Sequence, residues 1–353
     1  MEVKPITIKD IANQAGVSTA TVSYVINGSR QVKPDKQKRV LDVIERTNYQ
    51  PNRVAKSLRT KKTNIIGVLV EDILAFPSAQ IIGGISDYVE QTDYNILHSD
   101  LRMLDSLYNK YDQVIHQKEK INQALSFLVF GAKVDAVIYV GMFDRDISGI
   151  ITDMRKPIVI AYSTSQDTHA CSVTYENEEA AAELTRHLIK QGHKRIALIT
   201  GPGHSTPTQV RLTGINKAQA EAGITLNSNL VRNGDWGRGS GYACMRDILN
   251  NDSDSRPTAV IAMNDFMAVG AMDAIREAKL RIPEDISIVG FDNRDVSDYV
   301  SPKLTTVEID LKAIGFAAAK LATQILSGTG ENINKQSIII PSNLILRETV
   351  AAI

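Results

Sequence analysis

Three polar side chains in the second half of the chain have types and positions that suit the binding of a small polyhydroxylated molecule. Asn264 and Asp292 each follow a run typical of a buried strand, and open α/β sheets hold their ligands at the carboxyl ends of strands. An amide donates and accepts hydrogen bonds, a carboxylate accepts them from hydroxyl groups, and the planar fork of Arg211 can donate two to a vicinal diol. Considered alone, Asn264 and Asp292 could instead cap the following helices, and Arg211 could be a surface side chain.

Trp236 is the single tryptophan of the chain and points to the same class of ligand. It lies in a loop rich in Gly, Asp and Arg, whereas a core tryptophan is expected within an apolar run. A flat indole ring is a good platform for the C–H face of a sugar ring, so Trp236 indicates a carbohydrate.

The segments around these residues predict a body made of two sheets. Continuous β-branched runs alternate with amphipathic helical patterns, which is typical of parallel strands covered by helices on both faces. The first series of runs covers 65–70, 95–97, 137–140 and 158–161, and the second covers 195–200, 259–262 and 286–290. We therefore expect an α/β body of two doubly wound parallel-sheet subdomains with a cleft between them.

The N-terminal segment predicts an all-α helix-turn-helix head. Thr7 and Ser18 are good N-caps, Asp10 is placed to complete a capping box with Thr7, and Gly16 is suited to ending the first helix. A third helix is expected over 35–47. The predicted inward residues are Ile8, Ile11, Ala12 and Ala15, then Val22, Val25 and Ile26, and finally Val40, Leu41 and Ile44. The other face of the second helix carries short polar or methyl-bearing side chains, which suit a DNA major groove.

The charge distribution supports a nucleic-acid partner for the head alone. The whole chain has a net charge of zero, but its first 62 residues contain 13 Lys and Arg against 5 Asp and Glu. The remainder contains 27 basic and 35 acidic residues. A basic head on an acidic body is typical of a protein that binds phosphates with one end only, although a solvated basic face is the simpler alternative.

At this point the residues resemble a known family. The pattern Gly-Val-Ser-x-x-Thr-Val-Ser-x-Val-Ile-Asn over 16–27, followed by Tyr-x-Pro-Asn-x-x-Ala-x-x-Leu over 49–58, resembles the LacI/GalR family of bacterial transcriptional repressors. The resemblance continues to about Arg347. It implies a homodimer that binds near-palindromic operator DNA and represses carbohydrate-utilisation genes, with operator affinity controlled by a small sugar.

Two alternatives stay open beside the sugar-controlled repressor. The same architecture could respond to a corepressor, such as a purine, a sugar phosphate or a partner protein. A sugar-binding receptor without a DNA function would share the body fold, but the basic head and the absence of a signal peptide argue against it.

The resemblance also implies a periplasmic-binding-protein fold for the body, in which the chain crosses between subdomains three times. We place these crossings near Tyr162, Asn293 and Gly328. The expected organisation is a DNA-binding domain (1–51), a hinge helix or linker (52–62), an N-terminal effector subdomain (63–162 and 293–325) and a C-terminal effector subdomain (163–292 and 326–347).

Contacts with DNA are implied for three sets of residues. The expected base contacts are Thr19, Ala20, Tyr24 and Arg30, and the expected phosphate contacts are Thr7, Ser18, Asn27 and Tyr49. In the family, the hinge folds only when two copies meet on DNA. The residues expected in the minor groove are Ala55, Lys56 and Leu58, with Leu58 wedged between base pairs.

The resemblance assigns Arg211, Trp236, Asn264 and Asp292 to the effector pocket. The first subdomain departs from the family pattern, because 72–77 lacks the usual Asn and places Phe76 one position early. We still expect Phe76 to cover the cleft. The segment 101–111, with Tyr108 and Tyr111, is longer than expected and is interpreted as a surface excursion.

Other function classes receive no support from the sequence. The glycine-rich segments 201–206 and 237–241 lack a phosphate-loop pattern, and no nucleophile–base pair can be named, so neither an enzyme nor a cofactor is expected. Cys171 and Cys244 have no metal-like spacing and fit a reducing compartment. No apolar run could span a membrane, and no signal peptide is expected. Together with the resemblance to bacterial repressors, this leads us to expect a cytoplasmic, nucleoid-associated protein.

Overall fold

The computed structural model describes residues 6–28, 30–49, 62–104, 115, 117–152, 155–167, 170–250, 256–328 and 337–353. The chain divides into two compact units, a head (Met1–Thr63) and a body (Asn64–Ile353), each with its own buried apolar residues. Within the described residues, no helix is long and apolar enough to cross a membrane.

Three helices form the head: α1 (Ile8–Ala15), α2 (Thr19–Asn27) and α3 (Pro34–Thr47). The predicted capping box is confirmed, because the Thr7 hydroxyl accepts from the Asp10 N–H and the Asp10 carboxylate accepts from the Thr7 N–H. Gly16 ends α1 in the left-handed conformation, with a φ of 62°. Ser18 caps α2 by accepting a 3.2 Å hydrogen bond from the Thr21 N–H.

One face of each head helix supplies the core, which consists of Ile11, Ala12, Ala15, Val22, Val40 and Val43. The predicted inward position of Leu41 is wrong, because this residue is 48 % exposed and Val43 is buried instead. Residues three or four apart share a helix face, so Val40 and Val43 point together while Leu41 is turned away. Ile8, also predicted inward, is 36 % exposed at the first turn of α1.

The body alternates strands and helices. Its first elements are β1 (Ile65–Val70), α4 (Ser78–Val89), β2 (Asn95–Asp100), α5 (Lys118–Ser126), a π-helical turn (Phe127–Gly131), β3 (Ala136–Val140), β4 (Ile158–Ala161), β5 (Cys171–Tyr175) and α6 (Glu178–Lys190). It continues with β6 (Ile196–Thr200), α7 (Thr206–Glu221), a 3₁₀ turn (Ser228–Leu230), β7 (Val231–Asn233), α8 (Arg238–Leu249), β8 (Ala259–Ala262), α9 (Asp265–Glu277), β9 (Ser287–Val289) and α10 (Val296–Tyr299). The last elements are β10 (Thr306–Ile309), α11 (Leu311–Ser327), β11 (Ser337–Ile340) and β12 (Ser342–Ile345).

Two parallel sheets result from this order. The first has the strand order β11-β5-β4-β3-β1-β2 and the second has the order β7-β6-β8-β9, while β10 pairs antiparallel with β12. Every residue of β3, β4 and β6 is buried, which explains their uninterrupted apolar runs. The predicted class, a helical head on a body of two doubly wound sheets, is confirmed.

Two of the predicted crossing points are wrong in position. The chain does not leave the first sheet near Tyr162, because β5 pairs with β4 and is itself flanked by β11. It also returns to that sheet after Gly328 and leaves it only beyond Ile340. The strand β5 was not predicted, because the polar residues Ser172 and Thr174 interrupt its apolar pattern although both are buried. The third predicted crossing point, Asn293, lies in the segment between β9 of the second sheet and α11.

Candidate functional site

A cavity of about 580 Å³ lies in the body between the carboxyl ends of its two parallel sheets. Its lining includes all five predicted effector residues, namely Phe76, Arg211, Trp236, Asn264 and Asp292. These side chains come from loops that follow β1, β7, β8 and β9 and from the start of α7, so strand ends bring them together, as open α/β sheets require. A cavity of this size can hold a ligand of one or two sugar rings.

Arg211 is buried and its guanidinium is surrounded by protein acceptors. Its Nε donates to Asn177 Oδ1 at 2.9 Å, and its Nη1 donates to the carbonyl oxygen of Met263. Its Nη2 lies 3.4 Å from Asp292 Oδ1, and the guanidinium carbon lies 3.6 Å from the centre of the Phe291 ring. The side chain therefore holds the wall of the cavity together, in addition to any hydrogen bond that it donates to a ligand.

Asp292 presents a carboxylate held by two arginines. Oδ1 accepts from Arg211, and Oδ2 accepts from Arg294 Nε at 3.3 Å. The backbone of Asp292 has a φ of 100°, and its N–H donates to the Val307 carbonyl at 2.8 Å. Burial and the nearby Asp292 carboxylate raise the pKa of the neighbouring Asp265 to about 7. Asp292 therefore presents its carboxylate to the cavity, whereas Asp265, which titrates near neutrality, is buried behind the wall.

Asn264 has the capping role that the sequence left open. Its Oδ1 accepts from the Met267 N–H at 2.8 Å and so caps α9, and its Nδ2 donates to the Trp236 carbonyl at 2.9 Å. This side chain connects the loops after β7 and β8 and fixes the backbone of Trp236.

Trp236 packs its ring against the loop that follows β6. A side chain at Gly201 would overlap the indole, so this glycine provides room for the ring. The residue is partly buried, and its ring lies 5.9 Å from the Arg211 guanidinium carbon. The indole is thus held in place while still lining the cavity.

Several cavity residues were missed from the sequence. Arg294 places its guanidinium carbon 3.7 Å from the centre of the Phe76 ring and 4.6 Å from that of Phe266. Asp144 and Arg145 line the opposite wall, in the loop after β3. Burial raises the pKa of Asp144 above its ordinary value, and Asn177 Nδ2 donates to its Oδ2 at 3.1 Å. The strand-end rule that identified Asn264 would also have identified Asp144 and Arg145, had it been applied to β3.

Arg145 is buried against an acidic group behind the cavity wall. Its Nη2 lies 2.7 Å from both carboxylate oxygens of Glu71. Glu71 also accepts from the Tyr139 hydroxyl and, at 3.0 Å, from the Met142 N–H. Because the Glu71 carboxylate accepts from all of these donors, its buried negative charge is well compensated.

The head exposes the start of α2. Thr19 and Ala20 are exposed in its first turn, Tyr24 is half-buried one turn later, and the Arg30 guanidinium carbon lies 5.9 Å from the centre of the Tyr24 ring. Thr19 and Ala20 thus occupy an accessible surface at the N-terminal end of α2, whereas Arg30 lies beyond its C-terminal end.

The predicted phosphate contacts differ from one another in exposure and in their hydrogen bonds. The Thr7 and Ser18 hydroxyls take part in helix caps, and Tyr49 is half-buried against the head core. Several predicted positions lie outside the described residues, namely the side chain of Asn27, the hinge residues Ala55, Lys56 and Leu58, and the segment with Tyr108 and Tyr111.

Comparisons with known proteins agree with this architecture. A model described as bacterial regulatory proteins, lacI family, matches residues 7–52, and one described as periplasmic binding protein-like domain matches residues 185–350. The chain is 34% identical over 347 residues to the HTH-type transcriptional repressor PurR of Pasteurella multocida, covering 98% of each protein.

Solved structures match over the same extent. The lac repressor dimer bound to operator and the anti-inducer ONPF is 28% identical, with a TM-score of 0.79 and coverage of 99% of this chain and 100% of that one. The transcriptional regulator CelR–cellobiose complex is 26% identical, with a TM-score of 0.66 and coverage of 98% and 99%. These relatives are transcriptional repressors and regulators. The chain therefore belongs to the LacI family of bacterial transcriptional regulators.

Proposed function

We propose that the protein is a repressor that binds a near-palindromic operator as a homodimer and releases it when a sugar occupies the body cavity. The observation that carries this proposal is the convergence of Phe76, Arg211, Trp236, Asn264 and Asp292 on one cavity of about 580 Å³. The relative solved as a dimer on operator DNA supports the DNA half of the proposal.

A sugar fits the chemistry of the cavity better than a fully apolar ligand. Trp236 offers a flat ring to C–H groups, and Asp292 offers carboxylate oxygens to hydroxyl groups. The alternative ligand, a purine corepressor, would also stack on the Trp236 ring. The relative solved with cellobiose favours the sugar.

The switch that we propose uses both walls of the cavity. Phe76, Arg145 and Tyr162 line it from the first sheet, whereas Arg211 and Trp236 line it from the second. A ligand that contacts both walls favours one relative orientation of the two subdomains over the other. The proposed consequence is that the hinge helices over 53–59 can pair on DNA in one orientation only.

The test combines ligand binding with DNA binding. Duplexes that the full-length protein selects from a random pool serve as operators, and anisotropy gives their affinity. Neutral mono- and disaccharides and purines are then compared by thermal unfolding, since a ligand that binds the folded protein raises the melting temperature. A sugar that raises this temperature and weakens DNA binding supports the proposal. A purine that raises it and strengthens DNA binding would replace the proposal with the corepressor alternative.

A further inference from the structure

Arg145 has hydrogen-bonding capacity that the protein does not use. Its side chain is only 7 % exposed, and it lines the cavity. Nη2 donates to Glu71, but Nε and Nη1 are buried without a hydrogen-bond partner among the described residues. Buried donors in native proteins are nearly always satisfied, so unpaired donors at a cavity wall indicate a missing acceptor.

Arg294 offers a second guanidinium to the same cavity, from the loop that follows β9. Only its Nε has a side-chain acceptor among the described residues, Asp292 Oδ2 at 3.3 Å. Its guanidinium carbon lies against the Phe76 ring at 3.7 Å. A ring packed on the face of a guanidinium leaves the N–H groups at its edge available.

Only some of the acidic groups around the cavity pair with its arginines. Asp292 is shared between Arg211 and Arg294, and Glu71 lies behind Arg145. Asp146 and Asp235 are exposed, and each accepts a backbone N–H of its own turn at 2.9 Å, from Ser148 and Gly237 respectively. Asp144 lines the cavity as well, but among the described residues neither it nor Asp146 nor Asp235 forms a salt bridge with these arginines, so a single carboxylate, Asp292, is shared by two guanidinium groups.

We propose that the effector carries an anionic group, a carboxylate or a phosphate ester, which accepts hydrogen bonds from Arg145 and Arg294. This inference rests on the proposed sugar-controlled function and specifies it, with an acidic sugar as the ligand class. The anionic group supplies the acceptor that the buried Arg145 donors lack, and charge-assisted hydrogen bonds make it a strong one. Arg211 and Trp236 are left to hold the neutral part of the sugar.

The experiment compares matched ligands on the full-length protein by calorimetry. The probes are glucose with glucuronate and glucose 6-phosphate, and galactose with galacturonate and galactose 6-phosphate. The acids and the phosphates separate the two sources of anionic charge. We expect one anionic sugar to bind roughly 10- to 100-fold more tightly than its neutral parent, which corresponds to one charged hydrogen-bonded contact.

Three variants connect that preference to the arginines. Arg145→Lys keeps a cation beside Glu71 but removes the unpaired donors, and Arg294→Gln removes the second guanidinium. Each should reduce the preference for the anionic sugar about tenfold while changing the affinity for the neutral parent little. Arg281→Gln is the matched control, because Arg281 is exposed and pairs with Asp285 outside the cavity. If Arg145→Lys does not fold, the partly exposed Arg294 still provides the test.

Two results would overturn the inference. One is equal affinity for an anionic sugar and its neutral parent. The other is an equal loss of affinity for both members of a pair in the arginine variants. If no sugar binds at all, the proposed function fails separately, and inorganic phosphate then decides the inference: phosphate binding that Arg145→Lys removes supports it, and absence of phosphate binding overturns it.

Discussion

At the scale of single residues, the cavity side chains are held by one another before any ligand is present. Arg211 bonds to Asn177, Met263 and Asp292, and Asn264 both caps α9 and holds the Trp236 carbonyl. Removing either side chain would disturb the wall as well as any ligand contact, because partners buried in the same network are left unsatisfied. Trp236 is the better test residue, since its ring lies over Gly201 and its indole N–H donates no hydrogen bond within the described part of the chain.

Replacing this indole tests the predicted sugar platform. In Trp236→Ala we expect the effector affinity to fall at least about tenfold, because the apolar ring surface under the sugar is lost. The affinity for operator without effector should stay the same, because the head is a separate unit. Calorimetry and anisotropy measure the two quantities. Tyr299→Ala is the control, because this aromatic residue is 80 % exposed and does not line the cavity. A Trp236→Ala protein with normal effector affinity would remove the residue from the site.

Asp265 predicts a pH dependence of stability. Its pKa is raised to about 7 in the folded protein, mainly by burial and then by Asp292, so the folded state binds a proton that the unfolded state has lost above about pH 4. The free energy of unfolding of the body should therefore decrease as the pH rises from 4 to 7, by at most about 1.4 kcal/mol per pH unit from this group.

Urea unfolding at pH 5, 6, 7 and 8 measures this effect. In Asp265→Asn the decrease should be smaller than in the wild type, whereas the exposed Asp295→Asn should keep the wild-type slope. Equal slopes in all three proteins would contradict the assignment of the raised pKa to Asp265.

At the scale of elements, local signals predicted more than long-range ones. The caps of α1 and α2 depend on residues three positions apart, so Thr7, Asp10 and Ser18 could be assigned from the sequence. The strand β11 could not be assigned to the first sheet, because pairing with β5 depends on a partner more than 150 residues away. The contact between Asp292 and Arg211 could not be predicted for the same reason, because these residues are 81 positions apart. The residue types in the cavity could be predicted, because each follows a recognisable strand or loop pattern.

Helix packing at Gly241 supplies a test at this scale. A Cβ at Gly241 of α8 would overlap the backbone of Met267 in α9, whereas a Cβ at Gly239, two residues earlier, would meet open space. We expect Gly241→Ala to lower the free energy of unfolding by about 2 kcal/mol, because the two helices must separate.

Gly239→Ala is the matched control in the same helix. It should be neutral or stabilising by up to about 1 kcal/mol, because alanine costs less backbone entropy than glycine. Denaturant unfolding monitored by circular dichroism compares the two variants. Equal stabilities would show that α8 and α9 can adjust without cost at this contact.

At the scale of the whole molecule, function depends on two units of opposite charge. The 13 basic residues within the first 62 favour binding to phosphates, and the acidic remainder limits such binding to the head. In the proposed mechanism, a ligand in the body changes operator affinity through the hinge segment that joins the two units. Thermodynamic linkage then requires operator DNA to change the ligand affinity by the same factor.

Leu58→Ala tests that connection. If Leu58 enters the minor groove, its removal should weaken operator binding at least about tenfold, because the wedge that supports the kinked duplex is lost. The affinity of the free protein for the effector should not change, since the cavity residues all belong to the body. Leu41→Ala is the control, because this exposed leucine of α3 is not a predicted DNA contact. Unchanged operator affinity in Leu58→Ala would contradict the proposed role of the hinge. An equal loss of effector affinity would instead show that Leu58 affects ligand binding in the body.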